Sequence, residues 1–452
     1  MMAGSRAPWE GVLATDLYQL TAAQSYWMSG LADREAQFDH FFRSPPDYGT
    51  HMAGYCVTAG LRWLLDWMTE ARFDDEVLGV VRRQRDDAGR PLFDEGFLDW
   101  LARHGDFSAV RLEAIPEGRV VHPHEPVAIA RGPLAMVQIL ETSLLMHLNH
   151  GTLIATKAAR VRQAAADGLV MEFGARRAHE RAAHAATRAA LIGGADFSSN
   201  TGTSWRLGMP AKGTHAHALV QAHLADGESE LDAFRAFARS RPDDCVLLVD
   251  TIDTLGSGVP NAITVFHELR ASGHRPVGIR IDSGDLADLT LHAARMLDDA
   301  GFHDAKIVLS NQLDERRIEA IRARIAREAP HHGLDPVTTR ARLAWGVGTA
   351  LVTSKGAPAL DGVFKLTALR RDGTWRPVVK LSENPMKIPT PGPKVLWRLY
   401  DRADRALLDL ITTEDEDPLA EERITLHPLR EDARSRHVER AAVGRVEILH
   451  RE

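Results

Sequence analysis

Two cysteines in 452 residues, Cys56 and Cys245, are too few for a disulfide framework. Cys245 opens an apolar run and reads as a buried core thiol. Long apolar stretches are missing too. Runs such as Cys245–Val249 fall far short of the ~20 residues that cross a bilayer, so no membrane association is expected. Residues 1–10 carry no apolar signal core, and a cytoplasmic location is the expectation. Positive charge is neither in excess nor clustered. The 55 Lys and Arg face 62 Asp and Glu, a net charge of −7, which gives no reason to expect nucleic acid as a partner. No Gly-x-x-x-x-Gly-Lys-Ser/Thr stretch occurs, so any ATP is bound without a P-loop. A dinucleotide fingerprint is lacking as well. His179-Glu180 with His184 lacks the two-residue gap of a zinc-protease helix and reads as a solvated helix face.

What remains is a soluble globular composition, 44% hydrophobic and 26% charged, on a chain too long for one ordinary core. Residues 11–30 read as a helix capped by Thr15 or Asp16, and 36–45 alternate like a strand that stops at Pro45. Residues 57–72 and 74–85 read as amphipathic helices, and 109–131 as short strands broken by turn residues. Leu134–Gln163 reads as a long helix interrupted near His150-Gly151. From about residue 168 apolar runs recur: Leu169–Phe173, Ala211–Thr214, Cys245–Asp250, Val277–Asp282, Lys306–Ser310 and Leu343–Gly346. Helical periodicity fills 177–192, 228–240, 259–273, 285–300 and 314–328 between them. Such alternation, at roughly 30-residue spacing, is the signature of parallel βαβ units and points to a TIM-like α/β barrel. After about 361 the chain turns strand-rich again. The expected organisation is therefore α/β: a barrel over 141–360 and a discontinuous α+β domain built from 1–140 and 361–452. The stretch 326–340, with His331-His332, is expected as a surface loop, and 413–452 as a peripheral charged tail.

In a parallel barrel, chemistry gathers where strands end and the following loops begin. Here those ends read Glu172-Phe173-Gly174-Ala175-Arg176-Arg177, Lys212-Gly213-Thr214-His215-Ala216-His217, Asp250-Thr251-Ile252-Asp253-Thr254, Arg280-Ile281-Asp282-Ser283-Gly284-Asp285, Ser310-Asn311 and Gly346-Val347-Gly348-Thr349. Taken singly, each has a plainer reading. Asp253 and Ser283 suit helix caps, Gly346 and Gly348 suit turns, and His215 and His217 suit a solvated loop. Arg280 is different. It lies inside the apolar run Val277–Ile281, and burying it unpaired is costly, so it is expected to face a cavity holding an anion, with Asp282 on the same side. Amides at Gly346–Thr349 can hold a phosphate. Asp250, Asp253 and Asp282 can accept ribose hydroxyls or hold Mg²⁺ through water, with no direct metal ligation expected. Phe173 offers a face to a flat ring, Arg176 or Arg280 a fork to an anion, and a histidine near phosphates can accept a phosphoryl group.

These motifs, with Thr15-Asp16-Leu17-Tyr18-Gln19-Leu20-Thr21, Ile154-Ala-Thr-Lys157, Lys365-Leu366 and Lys380-Leu-Ser382, resemble the nicotinate phosphoribosyltransferase family over roughly residues 11–411. The resemblance implies an irregular α/β barrel with a discontinuous second domain. It implies transfer of phosphoribosyl from phosphoribosyl pyrophosphate to nicotinate, coupled to ATP through a phosphohistidine, as the first step of NAD salvage. His217 takes the position of the phosphorylated histidine and His215 a variable position. Tyr18, Thr214, Arg280 and Thr349 match positions that contact nicotinate or the nucleotide, and Phe173 one that stacks on the pyridine ring. Asp250 and Asp282 match residues that hold ribose hydroxyls and orient His217; Lys380 and Arg43 match residues that meet phosphates. Ser310, Gly346 and Gly348 fall within matched motifs of the substrate site. The family implies a homodimer in which Tyr18 and Arg43 act across the interface. Two departures stand out: Gly256 replaces a usual arginine, and His150-Gly151 a usual Phe-Gln.

Three other readings remain open at this level. Nicotinamide phosphoribosyltransferases share the architecture, but an amide would want an acidic acceptor after Phe197, where Ser198, Ser199 and Asn200 stand. A barrel that binds nucleotides without turnover is the second. A phosphosugar aldolase is the third, with Lys212 as its lysine.

Overall fold

The computed structural model describes residues 11–379, 389–420, 422–427 and 436–450. Clustering of contacts divides the chain into two units, one from the residues up to Leu153 and those from Ala359 on, the other spanning Ile154–Pro358.

The N-terminal portion begins with α1 (Leu17–Met28). Asp16 stands at its N-cap, but no side chain caps it, because the Asp16 carboxylate instead accepts from Thr142 Oγ1 at 3.2 Å. β1 (Glu35–Phe42) follows. It is paired on both edges, and Ala36–Phe42 are all buried. Then come β2 (Cys56–Val57), α2 (Leu61–Glu70), α3 (Asp75–Arg82), α4 (Glu95–His104), β3 (Arg111–Ala114), β4 (Val120–Val121) and β5 (Ala128–Pro133). α5 (Leu134–Ala165) is continuous through His150-Gly151, against the expected interruption. Gly151 serves close approach instead: a Cβ there would stand 2.6 Å from the Ala59 carbonyl oxygen. The unit boundary thus falls within this helix, not at residue 140.

The middle unit contains β6 (Leu169–Glu172), α6 (Glu180–Ile192), β7 (Phe197–Ser198), α7 (Thr201–Arg206), α8 (His217–Ala225), α9 (Glu230–Ser240), β8 (Val246–Leu248), α10 (Val259–Ala271), β9 (Gly278–Ile281), α11 (Leu286–Asp299), β10 (Lys306–Leu309), α12 (Glu315–Glu328), α13 (Pro336–Ala341), β11 (Leu343–Val347) and α14 (Thr349–Val352). Its six strands form one parallel sheet in the order β7-β6-β11-β10-β9-β8. The run Ala211–Thr214, expected as a strand, joins no ladder. Pro210 and Gly213 flank a segment held by single bonds, so β7 and β8 remain ladder edges and the sheet is not closed into a hydrogen-bonded ring. The expected loop 326–340 is largely helical, because Asp335 caps α13 through the amides of Val337 and Thr338.

The chain then returns with β12 (Gly362–Arg371), β13 (Thr374–Pro377), β14 (Val395–Tyr400), β15 (Ala406–Thr412), β16 (Arg423–Leu426), β17 (Arg436–Glu439) and β18 (Arg445–Ile448). β12 pairs with β1 in the five-stranded sheet β13-β12-β1-β5-β3, which joins both ends of the sequence in one layer. The tail is less peripheral than expected: β18 pairs with β14, and Leu449 is buried with Phe42 and Leu396. Among the described residues no helix is long and apolar enough to cross a membrane.

Candidate active site

β6 turns at its end into Phe173-Gly174, and a buried carboxylate fixes that corner. Glu172 is fully buried and accepts from the Gly174 N–H, from Thr187 Oγ1 at 2.8 Å and from Ser198 Oγ at 2.6 Å. Phe173 then lies across β11. A Cβ on Gly346 would stand 2.6 Å from Phe173 Cδ2, so only glycine leaves room for the ring. The Arg280 guanidinium carbon sits 5.5 Å from the centre of that ring.

Arg280 is paired within the protein. Its Nε donates to Ser310 Oγ at 2.9 Å, one terminal nitrogen to Thr214 Oγ1 at 3.0 Å and the other to Asp282 Oδ1 at 2.9 Å. Acceptors that follow β9 and β10, and Thr214 in the segment before α8, therefore offset its burial. Ser310 Oγ also donates to Asp282 Oδ1, so the four side chains form one network.

Asp250 completes the cluster from β8. Its Oδ2 accepts from the Asp282 N–H at 2.9 Å and from Ser283 Oγ at 2.6 Å. Ser283 is thus no helix cap; Asp285 caps α11. Asp250 Oδ1 has no hydrogen-bond partner among the described residues, although the side chain is only 1% exposed. An orphan buried carboxylate oxygen is costly and marks a place where another group belongs. It faces His217 Nε2 at 3.9 Å, and Asp282 Oδ2 stands equally far from the same nitrogen. His217 Nδ1 lies 3.0 Å from Thr251 Oγ1.

The two histidines therefore part company. His217 opens α8, half-buried and facing two carboxylates. His215 is buried between Phe234 and Phe237, and burial holds its imidazole below the usual histidine range.

Of the residues expected at the site, Phe173, Thr214, His217, Asp250, Arg280, Asp282, Ser310 and Gly346 come together in this way. Gly348 stands just before α14, with room for a Cβ only 3.1 Å from the Phe173 carbonyl oxygen. Arg176, in a short 3-10 helix, and Thr349, the first residue of α14, are exposed, and Asp253 caps the amides of Leu255 and Gly256. Tyr18 and Arg43 belong to the terminal unit. The Tyr18 phenol is pushed up to about 12 by burial and by Glu141, and Arg43 lies 3.7 Å from Asp361. Lys380 lies outside the described residues. Lys212 pairs with Asp244 at 3.0 Å outside any strand, which removes the aldolase reading. Sequence reasoning gave no role to Thr251 or Glu172. Thr251 is legible only as part of an aspartate-rich loop, and Glu172 only as the first residue of a polar strand end. Among the described residues no group of three or more His, Cys, Asp or Glu is placed to hold a metal ion.

Residues 13–149 match the N-terminal domain model of nicotinate phosphoribosyltransferase, and 393–451 match its C-terminal domain model. The nicotinate phosphoribosyltransferase of Bacillus subtilis is 41% identical over 422 residues, covering 92% of this chain and 79% of the relative. That of Dictyostelium discoideum is 34% identical over 474 residues, covering 93% and 76%. The crystal structure of human nicotinic acid phosphoribosyltransferase superimposes with a TM-score of 0.75 at 27% identity, over 97% of this chain and 88% of that one. The chain belongs to the nicotinate phosphoribosyltransferase family.

Proposed function

We propose that the chain transfers phosphoribosyl from phosphoribosyl pyrophosphate to nicotinate, giving nicotinate mononucleotide and pyrophosphate, and couples this to ATP hydrolysis in the first step of NAD salvage. The observation that carries the reading is the joint network of Thr214, Arg280, Asp282 and Ser310 beside His217 and an orphan Asp250 oxygen. Loss of pyrophosphate leaves an oxocarbenium-like ribose, so catalysis is chiefly positioning and charge stabilisation. Asp250 and Asp282 accept the ribose hydroxyls, Phe173 stacks on the pyridine, and Arg280 with Arg176 neutralises anionic groups. The amides of Gly346, Gly348 and Thr349 meet a phosphate.

A histidine nitrogen of His217 attacks the γ-phosphorus of ATP. The N–P bond forms as the bond to ADP breaks, and water later releases inorganic phosphate. Asp250 and Asp282 would hold Mg²⁺ through water, and the ion would supply positive charge to neutralise the pyrophosphate leaving group. The protein works in the cytoplasm as a homodimer, with Tyr18, Arg43 and Lys380 completing the ring and phosphate contacts.

Nicotinate is favoured over nicotinamide by the Ser198–Asn200 loop. The acidic group behind it, Glu172, already accepts three hydrogen bonds and has little left for an amide. Steady-state assays with both pyridines, combined with ³²P labelling from γ-labelled ATP, test the reading. Nicotinate should be preferred and label should vanish in His217→Ala; preference for nicotinamide, or label that survives, refutes it.

A further inference from the structure

The open sheet of the middle unit poses a problem that one side chain solves. Among the described residues β8 is an edge strand paired only with β9, and Val249 N–H donates to the Arg280 carbonyl at 3.1 Å. Alternate amides of a strand point to opposite sides, so the Leu248 N–H faces away from β9, into the protein, at a residue only 1% exposed. Left alone, such a buried amide is costly. It donates to His215 Nε2 at 3.0 Å, while His215 Nδ1 lies 3.2 Å from the Ala216 carbonyl oxygen. Both contacts are satisfied by one neutral tautomer, protonated on Nδ1. The ring is seated by Phe237 at 4.9 Å and Phe234 at 5.8 Å, both on α9.

The same segment is tied at its other end to the opposite edge, where Lys212 N–H donates to the Ser198 carbonyl of β7 at 2.9 Å. Between the two ties lies Thr214, whose hydroxyl accepts from Arg280; two residues beyond His215 comes His217.

We propose that His215 is a positioning residue that stands in for a missing strand: its imidazole terminates the edge of β8 and thereby sets where Thr214 meets Arg280 and where His217 meets Thr251. The proposal rests on the phosphoribosyltransferase reading only for its kinetic consequence. The groups that face the ring are Leu248 from β8, Phe234 and Phe237 from α9, and, as charged or titratable neighbours, Arg280 from β9 and His217 from α8. Protonating Nε2 would set a donor against a donor, so the tie is one that only neutral imidazole can make.

The test compares His215→Phe, which keeps the ring volume and loses the acceptor, with His215→Gln, whose amide oxygen can reach the place of Nε2. Hydrogen exchange over residues 246–250 is read alongside kcat and KM for both substrates. In His215→Phe, exchange at the Leu248 amide should rise at least tenfold and kcat/KM should fall tenfold or more. His215→Gln should restore both. Unchanged exchange and kinetics in His215→Phe, or no rescue by glutamine, overturns the proposal. Failure of the wild-type protein to turn over nicotinate would refute the functional reading and leave the exchange comparison to decide this one. If His215→Phe does not fold, ¹⁵N shifts of the wild-type imidazole, assigned through His215→Gln, decide instead: a neutral Nδ1–H form is expected, and an Nε2–H form overturns the proposal.

Discussion

Arg280 reaches three acceptors, on Thr214, Asp282 and Ser310, which a lysine cannot do, since its single ammonium lacks the planar fork. Arg280→Lys should therefore lower kcat/KM by about 100-fold, roughly 2.7 kcal/mol of transition-state stabilisation, while leaving the melting temperature within a few degrees. Steady-state kinetics and calorimetry on the same preparation check both halves. Glu125 makes a different kind of claim. Burial, and then Asp409 beside it, push its carboxyl up to about 9, so the folded protein holds a proton that the unfolded chain releases. Its stabilising contribution is complete below the ordinary carboxylate range and is lost as pH rises to about 9. Glu125→Gln, which keeps an acceptor for the His122 N–H, should match the wild type near pH 5 and exceed it by about 2 kcal/mol near pH 9 in denaturant titrations. Arg280 was legible because an arginine inside an apolar run is conspicuous. Glu172 and Thr251 were not, because their roles depend on partners such as Thr187, Ser198 and His217 that only folding brings near.

At the level of elements, periodicity located most strands and helices, and its failures have local causes. His150-Gly151 looked like a break in α5, since glycine lowers helix propensity by about 1 kcal/mol relative to alanine. The helix nevertheless runs through, and the glycine admits the backbone at Ala59 and Gly60. The two effects oppose each other in Gly151→Ala, and the steric one should win. Because the added Cβ meets backbone atoms, destabilisation by about 1–3 kcal/mol is expected in chemical denaturation. Ala211–Thr214 failed in the opposite sense. Its composition suits a strand, but in place of a ladder Lys212 N–H donates to the Ser198 carbonyl and the adjoining His215 imidazole accepts from the Leu248 N–H.

The assembly of the terminal unit from both ends was visible in the sequence as a return to strand-rich character, whereas the open edge between β7 and β8 was not, because spacing counts strands without fixing their pairing. The two chain portions are pinned by the buried pair Asp39–Lys394, in which burial pushes the carboxyl up and the ammonium down. Lys394→Met would leave Asp39 buried without its partner, and a loss of roughly 3–5 kcal/mol is expected in urea unfolding. The pairing of β1 with β12 reaches further than stability. A ribosome releases β1 early, and at about 5–20 residues per second its partner strand emerges on the order of tens of seconds later. During that interval the middle unit can fold on its own contacts while β1 waits with one edge bare. The nascent chain therefore exposes a hydrophobic strand for most of its synthesis, and the yield of this enzyme should depend on whatever shields that edge until translation ends.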